Sequence, residues 1–157
     1  MPTAQPRIPD LFGRDPRILG MRSNVGLRVL VIDDDVDLTE MVQAILELRS
    51  YEVCRAHSGE EGIEATRHWH PHAILLDLSM PGMDGRQVCK AIRQFSEIPI
   101  LVLSALSKPE TVARVLDEGA DDYLIKPVSS DTLIAHLNSL IRRTQGRRIA
   151  DRVANVG

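Results

Sequence analysis

Four places in the chain set a chemically capable side chain at the end of an apolar run. Asp33-Asp34-Asp35 follows Leu27–Ile32, and Asp77 follows Ala73–Leu76. Ser104 closes the run that starts at Pro99, and Lys126 follows Asp122–Ile125. Three carboxylates brought within a few ångströms repel strongly at low local dielectric, and they stay ionised together only around a cation. All-oxygen ligands favour a hard divalent ion such as Mg2+. A carboxylate beside such an ion can attack phosphorus and give an aspartyl phosphate. In-line transfer spreads charge over the equatorial oxygens, which Lys126 and the Ser104 hydroxyl could neutralise or hydrogen-bond. Singly, each residue has a plainer reading: helix or turn capping for the acids and the serine, a solvated loop for the lysine. Together they fit phosphoryl transfer.

Such residues need elements to hold them. Leu27–Ile32 is apolar except for Arg28 and predicts a strand. Asp35 can then cap a helix whose apolar face is Leu38, Met41, Val42, Ile45 and Leu46. Tyr51–Ala56 predicts a second strand, and Ser58-Gly59-Glu60-Glu61 opens a helix running to about His68. Ala73–Leu76 predicts a short buried strand, after which Pro81, Gly82 and Gly85 require a turn. Gly85–Gln94 predicts a helix with Val88, Cys89 and Ile92 inward. Pro99–Ser104 predicts a central strand, and Pro109 opens a helix carrying Val112, Val115 and Leu116 that Gly119 ends. Asp122–Ile125 predicts the fifth strand. Ser130–Arg143 predicts the last helix, with Leu133, Ile134, Leu137, Leu140 and Ile141 on one face. Strict alternation with short connections predicts an α/β fold: a five-stranded parallel sheet, doubly wound as (βα)5. Ligands of such sheets bind beyond the carboxyl ends of the strands, where all four polar positions fall.

The 157 residues suit one domain, and a net charge of −3 gives no general reason to expect nucleic acid or an anionic membrane as partner. Cys54 and Cys89 stand in no metal-ligand spacing and read as small core residues of a reduced, cytoplasmic protein. Met1–Arg7 carries no apolar signal core and no run is long enough to span a bilayer, so secretion and membrane insertion are not expected. Residues 1–26 hold four prolines and four arginines without periodicity and predict an extension outside the core. Residues 27–143 form the domain, and 144–157 a basic tail or linker in which Ile149, Val153 and Val156 hint at further helical turns. His57, His68, His70, His72 and His136 form no ligand set; His68, His70 and His72 alternate across a predicted loop and should face solvent.

Val31-Ile32-Asp33-Asp34-Asp35, Leu75-Leu76-Asp77-Leu78-Ser79-Met80-Pro81-Gly82-Met83-Asp84-Gly85, Leu103-Ser104-Ala105 and Gly119-Ala120-Asp121-Asp122-Tyr123-Leu124-Ile125-Lys126-Pro127 resemble the response-regulator receiver domain of two-component signalling. The resemblance covers roughly residues 27–143, with every motif in order. It implies a flavodoxin-like strand order, 2-1-3-4-5. It implies that Asp77 accepts a phosphoryl group from a phosphohistidine on a sensor histidine kinase or phosphotransfer protein. Asp33, Asp34 and Asp77 would hold Mg2+ together with the backbone carbonyl of Ser79, while Asp35 would be more cap than ligand. Lys126 would contact the phosphoryl oxygens, and Pro127 would be the family's cis-proline. Ser104 and Tyr123 would be the switch pair, Ser104 moving toward the phosphoryl group as Tyr123 turns from exposed to buried. The two-state element would be the face made by the fourth helix, fifth strand and fifth helix.

Departures from the family pattern bear on output. Where charged partners of an activated dimer are expected, the chain has Val112, Thr132 and His136, while Asp117, Glu118, Asp121 and Asp122 remain. Ser79 and Leu106 flank the site with no acid or amide to position an attacking water, so the aspartyl phosphate is expected to be long-lived. Three classes of function stay open. One is a stand-alone receiver or phosphorelay member that acts on a downstream protein. Another is the receiver part of a transcriptional regulator, homodimeric when active, that reaches DNA only through an output domain outside this chain. The third, a Mg2+-dependent phosphatase with an aspartyl intermediate, is disfavoured because Ser79 stands where its second acid belongs.

Overall fold

The computed structural model describes residues 24–156. Ten elements alternate: β1 (Arg28–Ile32), α1 (Val36–Glu47), β2 (Glu52–Ala56), α2 (Gly59–Trp69), β3 (Ala73–Leu76), α3 (Gly85–Arg93), β4 (Ile100–Ser104), α4 (Pro109–Asp117), β5 (Asp122–Ile125) and α5 (Ser130–Ala154). The strands form one parallel sheet in the order β2-β1-β3-β4-β5. Both the fold class and the strand order are as expected.

Alternation along each strand splits the core in two, because successive side chains point to opposite faces. Val29, Val31, Leu75, Leu101, Leu103 and Leu124 face α1 and α5, meeting Val42, Leu46, Leu133, Ile134, Leu137, Leu140 and Ile141. Leu30, Ile32, Ile74, Leu76, Ile100 and Val102 face the other way, onto Val88, Cys89 and Ile92 of α3 and Val115 of α4. Each large aliphatic side chain so buried contributes about 1.5–3 kcal/mol of transfer free energy. The middle strands β3 and β4 are buried at every residue, as a sheet covered on both faces requires.

Local signals set the helix starts. Asp35 accepts the Leu38 N–H at 3.0 Å, Ser58 accepts from Glu61, Ser129 accepts from Thr132, and Asp84 and Gln87 form a reciprocal capping box on α3. Pro109 stands at the start of α4, whose expected inward face is too wide. Val115 is buried, Val112 is half-buried and Leu116 is exposed, since α4 leans on the sheet edge at β5 and covers it with one row of side chains. Met41 of α1, expected inward, is likewise exposed.

One helix runs further than its apolar pattern predicts. Residues 144–154, expected as a basic tail or linker, continue α5 to Ala154. Strong helix formers after Gly146 carry the backbone on although nothing beyond Ile141 is buried. At the other end, residues 1–23 of the expected extension lie outside the described residues. Asn24–Gly26 form a turn against the domain, with the Asn24 amide donating to the Arg49 carbonyl at 3.0 Å.

Of the three histidines expected to face solvent, His68 and His70 do so and His72 does not. His68 ends α2 in a pair with Glu64, and His70 takes a left-handed conformation at the helix C-cap. His72 is half-buried, its Nδ1 accepting the Arg28 N–H at 3.0 Å across the foot of the sheet. Burial pushes its imidazole below the usual range, helped by the positive charges of Arg148 and Arg28.

Candidate functional site

Asp33, Asp77 and Lys126 are each the first residue after a strand and Ser104 is the last in one, and the parallel ladder runs one rung further to hold them. The Asp77 N–H donates to the Ile32 carbonyl at 3.0 Å, and the Asp33 N–H to the Ala56 carbonyl at 3.1 Å. The Lys126 N–H donates to the Ser104 carbonyl at 2.9 Å. Register, fixed by the buried apolar pattern, thereby fixes where the carboxylates and the ammonium emerge.

The side chains converge. Carboxylate oxygens of Asp33, Asp34 and Asp77 lie within 4.8 Å of one another. Asp33 and Asp77 are buried, at 5% and 7% exposure, while Asp34 faces solvent. The Lys126 ammonium donates to Asp33 Oδ2 at 3.0 Å and stands 3.8 Å from Asp77 Oδ1. Asp33 Oδ1 accepts the Asp35 N–H at 3.0 Å, which closes the turn into α1. Burial pushes the Asp77 carboxyl above the ordinary carboxylate range, and the negative charge of Asp33 adds to this. Lys126 and the peptide N–H groups of Ser79 and Leu78 oppose it without prevailing.

Three carboxylates against one ammonium leave a formal charge of −3 + 1 = −2 in one pocket. At an effective dielectric of about 20, each like-charged pair at that spacing costs on the order of 3 kcal/mol. Hard oxygen donors, an uncompensated double negative charge and a solvent-facing member suit a hexacoordinate divalent cation that keeps several waters.

Ser104 is fully buried at the end of β4, its Oγ accepting the Leu106 N–H at 3.3 Å. Tyr123 is half-buried rather than exposed. Its ring packs on the α3 side of the core, and its hydroxyl donates to the Leu106 carbonyl at 2.5 Å. Burial raises the Tyr123 phenol; the Ser104 hydroxyl acts against this and the Asp77 charge adds to it. Ser104, Leu106 and Tyr123 thus form one hydrogen-bonded cluster at the end of β4. The Lys126–Pro127 peptide is cis.

The chain belongs to the response regulator receiver family. The family's receiver-domain model matches residues 29–138. A probable transcriptional regulator, ycf27, of Cyanophora paradoxa is 37% identical over 128 residues, covering 82% of this chain and 54% of that one. The response regulator MprA of Mycobacterium tuberculosis (strain ATCC 25177 / H37Ra) is 37% identical over 131 residues, covering 83% and 57%. The chain thus spans little more than half the length of these curated relatives. Among solved structures, the receiver domain of Francisella response regulator 1452 superposes with a TM-score of 0.72 at 34% identity, covering 75% of this chain and 98% of that one. The Vibrio cholerae chemotaxis protein CheY4 does so with a TM-score of 0.69 at 32% identity, covering 73% and 98%. Among the described residues, no helix of the receiver is long and apolar enough to cross a membrane.

Two site features escaped sequence reasoning. Gly85 reads as a turn residue that opens α3, yet it also lies in direct contact with the backbone beneath. A Cβ there would sit 2.2 Å from the Asp77 carbonyl oxygen and 2.6 Å from the Leu78 Cα. No local pattern announces such a contact, since it depends on how α3 lies across the end of β3. The other is His57, whose Nδ1 stands 3.1 Å from the Asp33 carbonyl oxygen.

Several acids on and beside the face formed by α4, β5 and α5 are paired, some with basic residues of α3. Asp121 accepts from Arg93 Nη2 and from the Ile100 N–H, both at 2.8 Å. Asp122 pairs with His136 Nδ1 at 2.5 Å, and Glu118 pairs with Arg86 and Lys90. Three of the four acids that remained there in the sequence therefore have partners within the chain. Leu106, Leu116 and Ile125 are exposed around them.

Proposed function

We propose that Asp77 of this receiver accepts a phosphoryl group from a phosphohistidine on a sensor histidine kinase or phosphotransfer protein. The observation that carries the reading is the convergence of Asp33, Asp34 and Asp77 within 4.8 Å, with Lys126 bridging Asp33 and Asp77, in a chain of this family. Asp33, Asp34 and Asp77, with the backbone carbonyl of Ser79, would hold Mg2+. The bound ion would supply charge neutralisation for the transferring phosphoryl oxygens. An Asp77 Oδ forms the new P–O bond while the P–N bond to the imidazole breaks. The imidazole leaves with the bonding electron pair and takes up a proton. Burial and the neighbouring Asp33 leave the Asp77 carboxylate poorly stabilised when free, which favours its reaction. Lys126 lies close enough to both acids to transfer its ammonium to a phosphoryl oxygen.

Readout follows from the cluster at the end of β4. A phosphoryl group on Asp77 offers the Ser104 hydroxyl a stronger acceptor. That draws the Ser104–Leu106 loop inward and breaks the Tyr123–Leu106 bond, so that the α4, β5 and α5 face changes shape for a downstream partner. The test is labelling by acetyl phosphate with Mg2+. The wild-type receiver should label and Asp77→Asn should not; labelling that survives intact in Asp77→Asn would sink the site assignment.

A second reading is that this receiver is the regulatory half of a DNA-binding protein, favoured by its likeness to a probable transcriptional regulator and by the greater length of these relatives. Sedimentation velocity with Mg2+, with and without beryllofluoride, separates the two. A shift from monomer to dimer favours the regulator, and an unchanged monomer favours a receiver read by a partner protein.

A further inference from the structure

We propose that His57 is a positioning residue for the acidic loop, a role that rests on the phosphoryl-acceptor reading above. His57 is the first residue after β2, the edge strand beside β1. Its ring Nδ1 stands 3.1 Å from the Asp33 carbonyl oxygen. A carbonyl only accepts, so Nδ1 carries the hydrogen and donates it. The backbone that carries the ring is held in turn: the His57 peptide N–H donates to Glu61 Oε2 at 3.0 Å, and Ser58 caps the helix that follows.

The geometry explains why this bond matters. Asp33 is held at each of its other polar atoms: its N–H by Ala56, Oδ1 by the Asp35 N–H and Oδ2 by Lys126. Those contacts fix the Asp33 side chain and the near side of its backbone. The Asp33 carbonyl belongs to the peptide that leads into Asp34, and its direction sets the plane from which the Asp34 side chain departs. Asp34 is the exposed member of the carboxylate trio. His57 therefore orients the solvent-side ligand through the backbone, without touching it. Groups that orient metal ligands from behind typically change metal affinity by about 10- to 100-fold when lost. A bond to one peptide plane belongs at the lower end of that range.

The test measures Mg2+ affinity by isothermal titration calorimetry in the metal-free full chain and three variants at His57. His57→Phe keeps the ring and removes the donor, and His57→Ala removes both. His57→Asn keeps an N–H donor near the position of Nδ1. The expected result is Mg2+ binding about 10-fold weaker in His57→Phe and His57→Ala, and within about 2-fold of wild type in His57→Asn. Amide exchange at Asp34 should quicken in the first two variants only. Purely structural damage would lower thermal stability in all three and leave the affinity of the folded protein unchanged, which would overturn the proposal. So would a His57→Asn variant that binds as weakly as His57→Phe, because the donor would then not be the agent. Binding lost in Asp34→Asn but unaltered by every His57 change overturns the positioning role and leaves the acceptor site standing. A wild-type receiver that does not bind Mg2+ removes both.

Discussion

Gly85→Ala offers the sharpest test of how the fold holds the acceptor. The added Cβ would lie 2.2 Å from the Asp77 carbonyl oxygen, against a close carbon–oxygen contact of about 3.3 Å. About 1 Å must therefore be gained by lifting the start of α3 or pushing back the Asp77–Leu78 peptide. The obstacle is backbone, so no side-chain rotation relieves it. Overpacking of this kind costs about 1–3 kcal/mol, offset in part by up to roughly 1 kcal/mol from the better helix propensity of alanine. A net loss of about 1–2 kcal/mol should lower Tm by several degrees in a domain of this size. Displacing Asp77 by about 1 Å should also slow phosphoryl acceptance by about 100-fold, since reactions in preorganised sites tolerate little misplacement. Gly82→Ala is the control. It has φ +76° and nothing within 4 Å of its Cβ, so it should cost about 1 kcal/mol in backbone strain and leave labelling near normal. Urea titrations and acetyl phosphate labelling of the three proteins decide the matter. A Gly85→Ala receiver with wild-type stability and wild-type labelling would refute the close-contact argument.

Asp77→Asn should stabilise the metal-free protein. The folded carboxyl titrates above its unfolded value, so its ionised form weakens the fold as pH rises through the folded value, and the neutral amide removes that penalty at pH 7. A lower Tm for Asp77→Asn without Mg2+ would contradict this. Lys126→Met leaves Asp33 and Asp77 facing each other and should cost about 1.5–3 kcal/mol in urea melts, with saturating Mg2+ restoring part of the loss. His72 is held neutral in the fold, so its contribution is present above the unfolded value of about 6.5 and declines as pH falls below it. The urea midpoint should drop between pH 7.5 and 5.5, and His72→Gln should flatten that drop; an equal slope in the variant would exclude His72 as the cause. Ser79 and Leu106 supply no carboxylate or amide beside Asp77, so its phosphoryl group should persist for minutes or longer, and a half-life of seconds would count against it.

Much of the fold was legible because two periodicities never conflicted. β3 and β5 fall where their apolar runs begin and end, and the inward faces expected of α3 and α5 are buried residue for residue. The candidate site was legible for the same reason: a polar residue ending a buried run can only emerge at the strand's end. The misses involve relations between elements. Met41 and Leu116 satisfy helical periodicity, but whether such a residue is covered depends on how its helix lies on the sheet. Gly85 and His57 matter through contacts with the backbone at Asp77 and Asp33, which leave no trace in their own neighbourhoods. The long α5 was half visible in Ile149, Val153 and Val156, whereas the apolar pattern ended at Ile141 because burial ends there.

α5 starts three residues after Pro127, beside the carboxyl end of the sheet, and runs through Ala154. At 1.5 Å per residue its 25 residues span about 37 Å. It is anchored in the core along Leu133–Ile141, and no described residue beyond Ile141 is buried. A tilt of about 5° about that anchor would carry the tip, 13 residues or about 20 Å beyond Ile141, through about 2 Å. A rod of this stiffness would turn a small shift near Lys126 into a displacement at the far end of α5.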